Sequence, residues 1–345
     1  MQTPNKILIV RTDRLGDVIL STPVIKNLRL FFPKSHIAFI CRPYTRDALE
    51  GNPDLDEVII YDKYGKQKSL WASIKFAFFL RKKKFDLAII LHPTNRVHLI
   101  TFLAGIPERV GWDKKLGKLL TQRIKHTKQE GKKHELEYTL DLLRSLGIAI
   151  KHTDTYFPIL SKAKTKIEQL LKNEGIAEGG KFIVIHPSAS CPSKRWPQEN
   201  FGKVIKLLKE KLSFKIIIIT SQSEREFGEK LVGDSGVIDL RGSLSISELG
   251  ALLEQTALFI SNDSGPVHIA ASFNTPVISI FGRTDSGLSP LRWGPRGRKS
   301  FYLHKDVGCT KCLAHGCAKG FLCLREITPQ EVADKAMSFL KRRNS

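Results

Sequence analysis

Acidic residues are scarce in this chain: 34 Asp and Glu stand against 56 Lys and Arg, leaving a formal charge of +22 and a pI near 9.8. Such an excess points to an anionic partner, whether nucleic acid, an acidic membrane surface or a phosphorylated substrate. Long apolar runs are also missing, since none reaches the roughly 18 uninterrupted residues of a membrane span. The opening MQTPNKILIVRTDRLGD reads as a strand rather than a charged-then-apolar signal sequence, so a cytoplasmic location is expected. The first apolar run is not followed by GxGxxG, which leaves a dinucleotide fingerprint unsupported. No RRM, KH, helix-turn-helix or zinc-finger pattern accompanies the positive charge, so a basic nucleic-acid-binding protein stays a distant alternative.

What is present is strand and helix in alternation. Over 345 residues with 41% hydrophobic content, two domains of roughly 150–170 residues are the natural division. ILIV (7–10) is a continuous apolar run of the kind a buried parallel strand needs. A Gly-containing turn follows, then a helix over 18–32 with Pro23 near its first turn. HIAFIC (36–41) and EVIIY (57–61) read as strands, 69–84 as a helix and DLAIIL (86–91) as a strand. A second series starts near residue 160. It has helices at 164–175, 200–212, 224–233, 245–256 and 328–343, a strand with a polar loop at 182–190, and strands at 215–221, 237–240, 257–261 and 276–282. The repetition argues for α/β architecture with two Rossmann-like, doubly wound domains facing one another across a cleft. The expected limits are 1–160, 161–327 (with a Cys-rich loop at 309–323) and a C-terminal helix in 328–345. Ligands of such sheets bind outside the carboxyl ends of the strands.

Four strand-end loops hold the informative residues. In Arg11-Thr12-Asp13-Arg14-Leu15-Gly16-Asp17, the carboxylate of Asp17 is either a helix cap or a base. His186-Pro187-Ser188-Ala189-Ser190, followed by Ser193-Lys194-Arg195-Trp196, offers hydroxyls and cations suited to phosphate oxygens, or else to surface salt bridges. Ser221-Gln222-Ser223-Glu224-Arg225-Glu226 places carboxylates just past a strand, where one can take ribose hydroxyls or sit in a first helical turn. Asp263-Ser264-Gly265-Pro266-Val267-His268 follows the buried run ALFI (257–260). There Ser or Asp can cap a helix, and the helix start can hold an anion.

RTDRLGDVILSTPVI, HPSASCPSKRWP, SNDSGPVHIAA and PVISIFGRTD, in this order and with RVGW (109–112) and HELEYTLDLLRSLGI (134–148) between them, resemble glycosyltransferase family 9. These are the bacterial ADP-heptose:lipopolysaccharide heptosyltransferases, and the likeness leans toward the heptosyltransferase II type. The resemblance spans nearly the whole chain and implies a GT-B fold and an inverting transferase of cell-envelope lipopolysaccharide biosynthesis. It implies Asp17 as catalytic base. It gives Lys194, Glu224, Asp263, Ser264, Gly265 and His268 to the donor, with Ser188, Arg195 and Glu226 as further candidates. Pro266 removes one N–H from that loop. Arg11, Arg14 and Arg96 are expected on the acceptor side. The implied donor is ADP-heptose, and the implied acceptor is an anionic Kdo/heptose-lipid A core at the cytoplasmic face of the inner membrane. The carboxylates offer no DxD-like pair, so no required cofactor or catalytic metal is expected. The enzymatic alternative is another GT-B protein, an epimerase or a transferase of a different nucleotide sugar.

Two basic stretches fit an anionic acceptor or membrane. Residues 63–84 carry eight Lys/Arg and no acid, and residues 109–133 carry nine against two. WASIKFAFFLRKKK joins apolar bulk to a cationic end, as an interfacial helix does; a core-packed helix with a solvated basic end is the other reading. Finally, Cys309, Cys312, Cys317 and Cys323 cluster within fifteen residues near His315. In a reducing compartment a structural zinc is one reading, and free or disulfide-linked thiols the other.

Overall fold

The computed structural model describes residues 3–233, 236–313 and 315–341. The chain divides into two compact units, one of Met1–Gln129 with Glu135–Pro158, the other of Glu130–His134 with Ile159–Ser345. In the first unit the strands are β1 (Lys6–Val10), β2 (His36–Cys41), β3 (Glu57–Ile60), β4 (Leu87–Ile90), β5 (Glu108–Asp113) and β6 (Gln122–Lys125). They form one parallel sheet in the order β3-β2-β1-β4-β5-β6. In the second unit they are β7 (Phe182–His186), β8 (Lys215–Thr220), β9 (Ile238–Arg241), β10 (Leu258–Asn262), β11 (Val277–Phe281) and β12 (Ser300–His304). Their order, β9-β8-β7-β10-β11-β12, repeats the first, and every pairing is again parallel.

The topology follows from composition. Parallel strands need crossover helices on both faces and are therefore buried on both sides. ILIV and IIII in β1 and β8 are such runs, and both are buried. One core of the first unit gathers Leu8, Val10, Ala38, Ile40, Ala88 and Ile90 under Phe76 and Leu80 of the helix Leu70–Lys83. A core of the second unit packs Ile183, Ile185, Ile260 and Ile278 against Trp196, Phe201 and the terminal helix Pro329–Lys341. In each sheet the strand order reverses between the first and fourth strands, β1/β4 and β7/β10. Such a switch point opens a crevice at the carboxyl edge for a ligand.

Two expected elements differ. The helix over 18–32 is two helices, Leu15–Ile19 and Thr22–Phe31. The Ser21 hydroxyl donates to the Asp17 carbonyl at 2.7 Å and that of Thr22 to Ile19 at 2.8 Å, which ends the first helix. Pro23 then lies in the first turn of the second, where its missing N–H costs nothing. The helix over 224–233 is a short 3-10 turn, Gln222–Glu224, and a helix Glu229–Val232, parted by Gly228 at φ +88°. The terminal helix is described to Lys341; residues 342 and 343 lie outside the described residues.

Residues 130–134 group with the second unit. His134 Nε2 lies 2.8 Å from the Gly294 carbonyl oxygen. Gly131, at φ +62°, passes the Ser286 carbonyl so closely that a Cβ would stand 1.8 Å from its oxygen. Only glycine fits both the dihedral and the space.

Candidate active site

At the switch point of the first unit, the loop after β1 turns at once into the helix Leu15–Ile19, whose first turn carries Asp17. Asp17 caps nothing: Arg14 is the N-cap and makes no side-chain cap bond. Instead Arg11 Nη2 reaches Asp17 Oδ1 at 2.5 Å and Glu135 Oε1 at 3.0 Å, while Arg11 Nε donates to Asp13 at 3.0 Å. Lys128 Nζ meets the same Glu135 oxygen at 2.7 Å. Three carboxylates thus share two cations in a nearly dry place, since Arg11 is only 2% exposed and Glu135 1%. His92, after β4, stands 3.8 Å from Asp13.

This crowding sets the charge states. Burial first, and then the neighbouring charge of Asp13, push the Asp17 carboxyl up to about 6 against the pull of Arg11. Burial disfavours the Arg11 cation, yet Asp13, Asp17 and Glu135 together outweigh it and hold the guanidinium charged. Burial and then Arg11 press His92 down to about 4, so its imidazole is neutral at pH 7. A half-buried carboxylate that titrates near neutrality can serve as a general base.

At the switch point of the second unit, the loop after β7 and the loop after β10 are laced together. Buried Asn262 accepts from the Trp196 backbone N–H at 3.0 Å and donates to the Pro187 carbonyl at 2.7 Å. Trp196 in turn donates its indole N–H to Ile327 at 3.0 Å, anchoring the loop on the core. The lacing places Lys194 Nζ 2.6 Å from Asp263 Oδ2. Arg283 fixes the same loop from the other side, donating to Ser193 at 2.9 Å.

A second chain of bonds runs through His186. Its Nε2 lies 2.9 Å from Ser188 Oγ, and Ser188 donates to Glu224 Oε2 at 3.1 Å. Ser188 has one proton to give, so His186 Nε2–H is the donor to Ser188 Oγ. Burial, against the charge of Glu224, keeps this imidazole neutral, which makes Nδ1 the acceptor facing Ser264 at 3.3 Å and Ser261 at 3.1 Å. Ser221 also donates to Glu224 Oε2, at 2.9 Å, so both hydroxyls bind one oxygen of that carboxylate.

The helix Pro266–Ser272 begins at Pro266, with Gly265 as N-cap and no side-chain cap. The capping role open to Asp263 or Ser264 is therefore not used: the Asp263 side chain goes to Lys194 and the Ser264 hydroxyl to Ser261 and His186. His268 is buried, and desolvation, then His134 and Lys194, press it down to about 3.

Other expected site residues are placed as follows. Arg195 donates to the Ala189 carbonyl at 2.6 Å and stacks over Phe227. Glu226 and Arg14 are exposed. Arg96 is spent on backbone carbonyls of Lys63, Gln67 and Lys68, and Arg11 is the counter-ion of the acidic cluster. All six cysteines are free thiols, and among the described residues no group of three or more His, Cys, Asp or Glu is gathered to hold a metal. Glu135, Lys128 and His92 escaped sequence reasoning, and His186 and Asn262 stand within motifs without a role. Glu135 is 124 residues from Arg11 in the chain, and the others carry no motif-like spacing.

The family model of glycosyltransferase family 9 (heptosyltransferase) matches residues 74–322. Lipopolysaccharide heptosyltransferase 2 of Escherichia coli K12 is 23% identical, over 97% of this chain and 98% of its own length. Lipopolysaccharide heptosyltransferase 3 of E. coli is 30% identical, over 78% and 81%. Among solved structures, a family 9 glycosyl transferase from Veillonella parvula superposes with a TM-score of 0.86 at 23% identity, covering 98% of both chains. E. coli ADP-heptose lps heptosyltransferase II does so with 0.80 at 21%, covering 99% of this chain and all of that one. E. coli heptosyltransferase WaaC, solved with ADP, gives 0.72 at 18% over 97% and 99%. The two-sheet architecture is that of the GT-B heptosyltransferases, and the chain belongs to glycosyltransferase family 9, the heptosyltransferases.

Proposed function

We propose that this enzyme transfers heptose from ADP-heptose to a sugar hydroxyl of the lipopolysaccharide inner core, with inversion at the anomeric carbon. The observation that carries the reading is Asp17: a half-buried carboxylate at the β1/β4 switch point, held by Arg11 at 2.5 Å and raised to about 6. Family relatives named for lipopolysaccharide heptose transfer, and a relative solved with ADP-2-deoxy-2-fluoro heptose, support the donor and acceptor classes.

In this reading Asp17 takes the proton of the acceptor hydroxyl as its oxygen attacks the anomeric carbon. The bond from that carbon to the diphosphate breaks, and ADP leaves with the electron pair. General-base help of this kind is worth roughly 10²–10⁴ in rate. Arg11 keeps the carboxylate aimed, and Glu135, itself bonded by Lys128, holds Arg11. Lys194 meets the charge that grows on the diphosphate, aided by the Ser264 hydroxyl and the Gly265 N–H. Both hydroxyl donors to Glu224 fall on Oε2, which leaves Oε1 to accept from the ribose hydroxyls. The basic stretches at 63–84 and 109–133 suit the phosphorylated acceptor, with the chain working at the cytoplasmic face of the inner membrane.

The test is transfer to defined truncated lipopolysaccharide acceptors, read by mass spectrometry, with a panel of nucleotide sugars. One heptose added from ADP-heptose, with product of inverted configuration, is the expected result. Equal or better use of another nucleotide sugar overturns the donor assignment.

A further inference from the structure

We propose that the helix Leu70–Lys83 is a docking element for an anionic lipid bilayer, lying flat in the headgroup region; this rests on, and sharpens, the reading that the acceptor is a membrane lipid. The helix has two apolar sides. Ser73, Phe76, Ala77 and Leu80 are buried in the first unit. The remaining apolar residues are not: Trp71 is 75% exposed, Leu70 58%, Phe78 51% and Phe79 46%. A helix that only covers a core keeps its outer face polar, so the core-packed reading accounts for half of this one.

The outward face is mixed in a particular way. Trp71, Lys75, Phe78 and Lys82 follow one another at steps of four, three and four, which places them on one stripe of the helix. Large apolar groups interleaved with lysines suit an interface where rings enter the acyl boundary and ammonium groups stay with lipid phosphates. Charge complementarity selects the lipid. Residues 63–84 bring eight cations and no carboxylate, and their one described acidic partner is Glu57, which pairs with Lys83 at 2.5 Å. With 14 residues the helix is too short to span a bilayer, and no described helix is long and apolar enough to do so.

Trp71 supplies its own probe. Trp112 and Trp196 are buried at 1% exposure each, and the Trp293 indole is bonded to the Gly287 carbonyl. The full chain is mixed at physiological salt with vesicles of phosphatidylglycerol and phosphatidylethanolamine, or of phosphatidylcholine alone. Flotation and quenching by brominated lipid are read together. Binding to the anionic vesicles is expected, with quenching that disappears in W71F. F78S/F79S should abolish flotation, and K75Q/K82Q should weaken it by about fivefold for each cation removed. W71F and F78S/F79S should turn over a delipidated, water-soluble acceptor at the wild-type rate.

Vesicle binding unchanged by both double variants, or absent from the wild type, overturns the docking helix. So does a concentration-dependent mass increase that F78S/F79S removes, because the face is then covered by a second copy. Loss of transfer to the soluble acceptor by the wild type, with vesicle binding intact, fails the proposed reaction and leaves the docking helix standing.

Discussion

Replacing Asp17 with Asn should destroy activity and at the same time stabilise the first unit. The carboxyl titrates near 6 in the folded chain against an ordinary value of 3.8. A charged Asp17 therefore costs the folded state about 3 kcal/mol relative to the unfolded one, at 1.36 kcal/mol for each tenfold change in acidity. The penalty has a simple origin. Burial comes first, and then the charges of Asp13 and Glu135, against the pull of Arg11. The folded pKa is raised, so below pH ~4 the group is protonated in both states and costs nothing. Between pH ~4 and ~6 the unfolded chain has released the proton and the folded chain has not, and the cost accumulates; above pH ~6 it is complete. Asn keeps an oxygen to accept from Arg11 and carries no charge. D17N should then melt at the wild-type temperature near pH 4 and roughly 6–12 °C higher at pH 8, taking about 2–4 °C per kcal/mol for a unit of this size. Turnover should fall by about 10²–10⁴, ADP affinity should stay unchanged, and wild-type kcat/KM should rise with pH through about 6. Differential scanning calorimetry across pH, with initial-rate assays, checks each part. A D17N curve that runs parallel to wild type at every pH refutes the crowded-charge argument, and retained turnover refutes the base.

Three further outcomes are expected. K194A leaves the Asp263 carboxylate buried without its partner, so the second unit should lose about 3 kcal/mol; K194M/D263N should recover most of that stability and none of the turnover, as read by thermal unfolding and rate. E224Q keeps an acceptor but loses the charge facing the ribose, and calorimetric ADP affinity should drop about tenfold, in line with a charge-assisted hydrogen bond of roughly 1.5–3 kcal/mol; an unchanged affinity removes Glu224 from the donor site. G131A forces a Cβ onto the Ser286 carbonyl at φ +62°, so it should cost at least about 1 kcal/mol and speed hydrogen exchange in 130–134, whereas an exchange pattern like wild type would mean the backbone yields freely there.

How much of this was readable in the chain depends on the length over which the cause acts. Strands such as ILIV and KIIIIT, and the helix Leu70–Lys83, follow from local runs and periodicity, whereas Asp17, Lys194 and Asp263 are charged groups at strand ends whose roles only the family resemblance implies. Where the helix over 18–32 breaks was not legible, because two hydroxyls, Ser21 and Thr22, end one helix by bonding carbonyls that either conformation could expose. The role of Asp263 was hidden for a related reason: a carboxylate before a helix is a cap unless something nearer and more strongly charged claims it, and Lys194 does so from 69 positions away.

The sequence alone determined the class of the fold and the chemistry on offer: buried parallel strands, helices between them, carboxylate and cation at the strand ends, and an excess of positive charge. Only the tertiary structure decided which charges meet. Glu135 reaches Arg11 across 124 positions, and Lys128 reaches Glu135, so burial and the nearby charge of Asp13, which raise the Asp17 carboxyl most, are joined by a charge that no local pattern marks. The exposure of Trp71 and Phe78 belongs to the same category. Periodicity says that a helix has an apolar side, but not which apolar residues the rest of the chain has room to cover. Hydrophobic pattern is written residue by residue, whereas electrostatic coupling and surface exposure are properties of distance in space, and folding alone sets those distances.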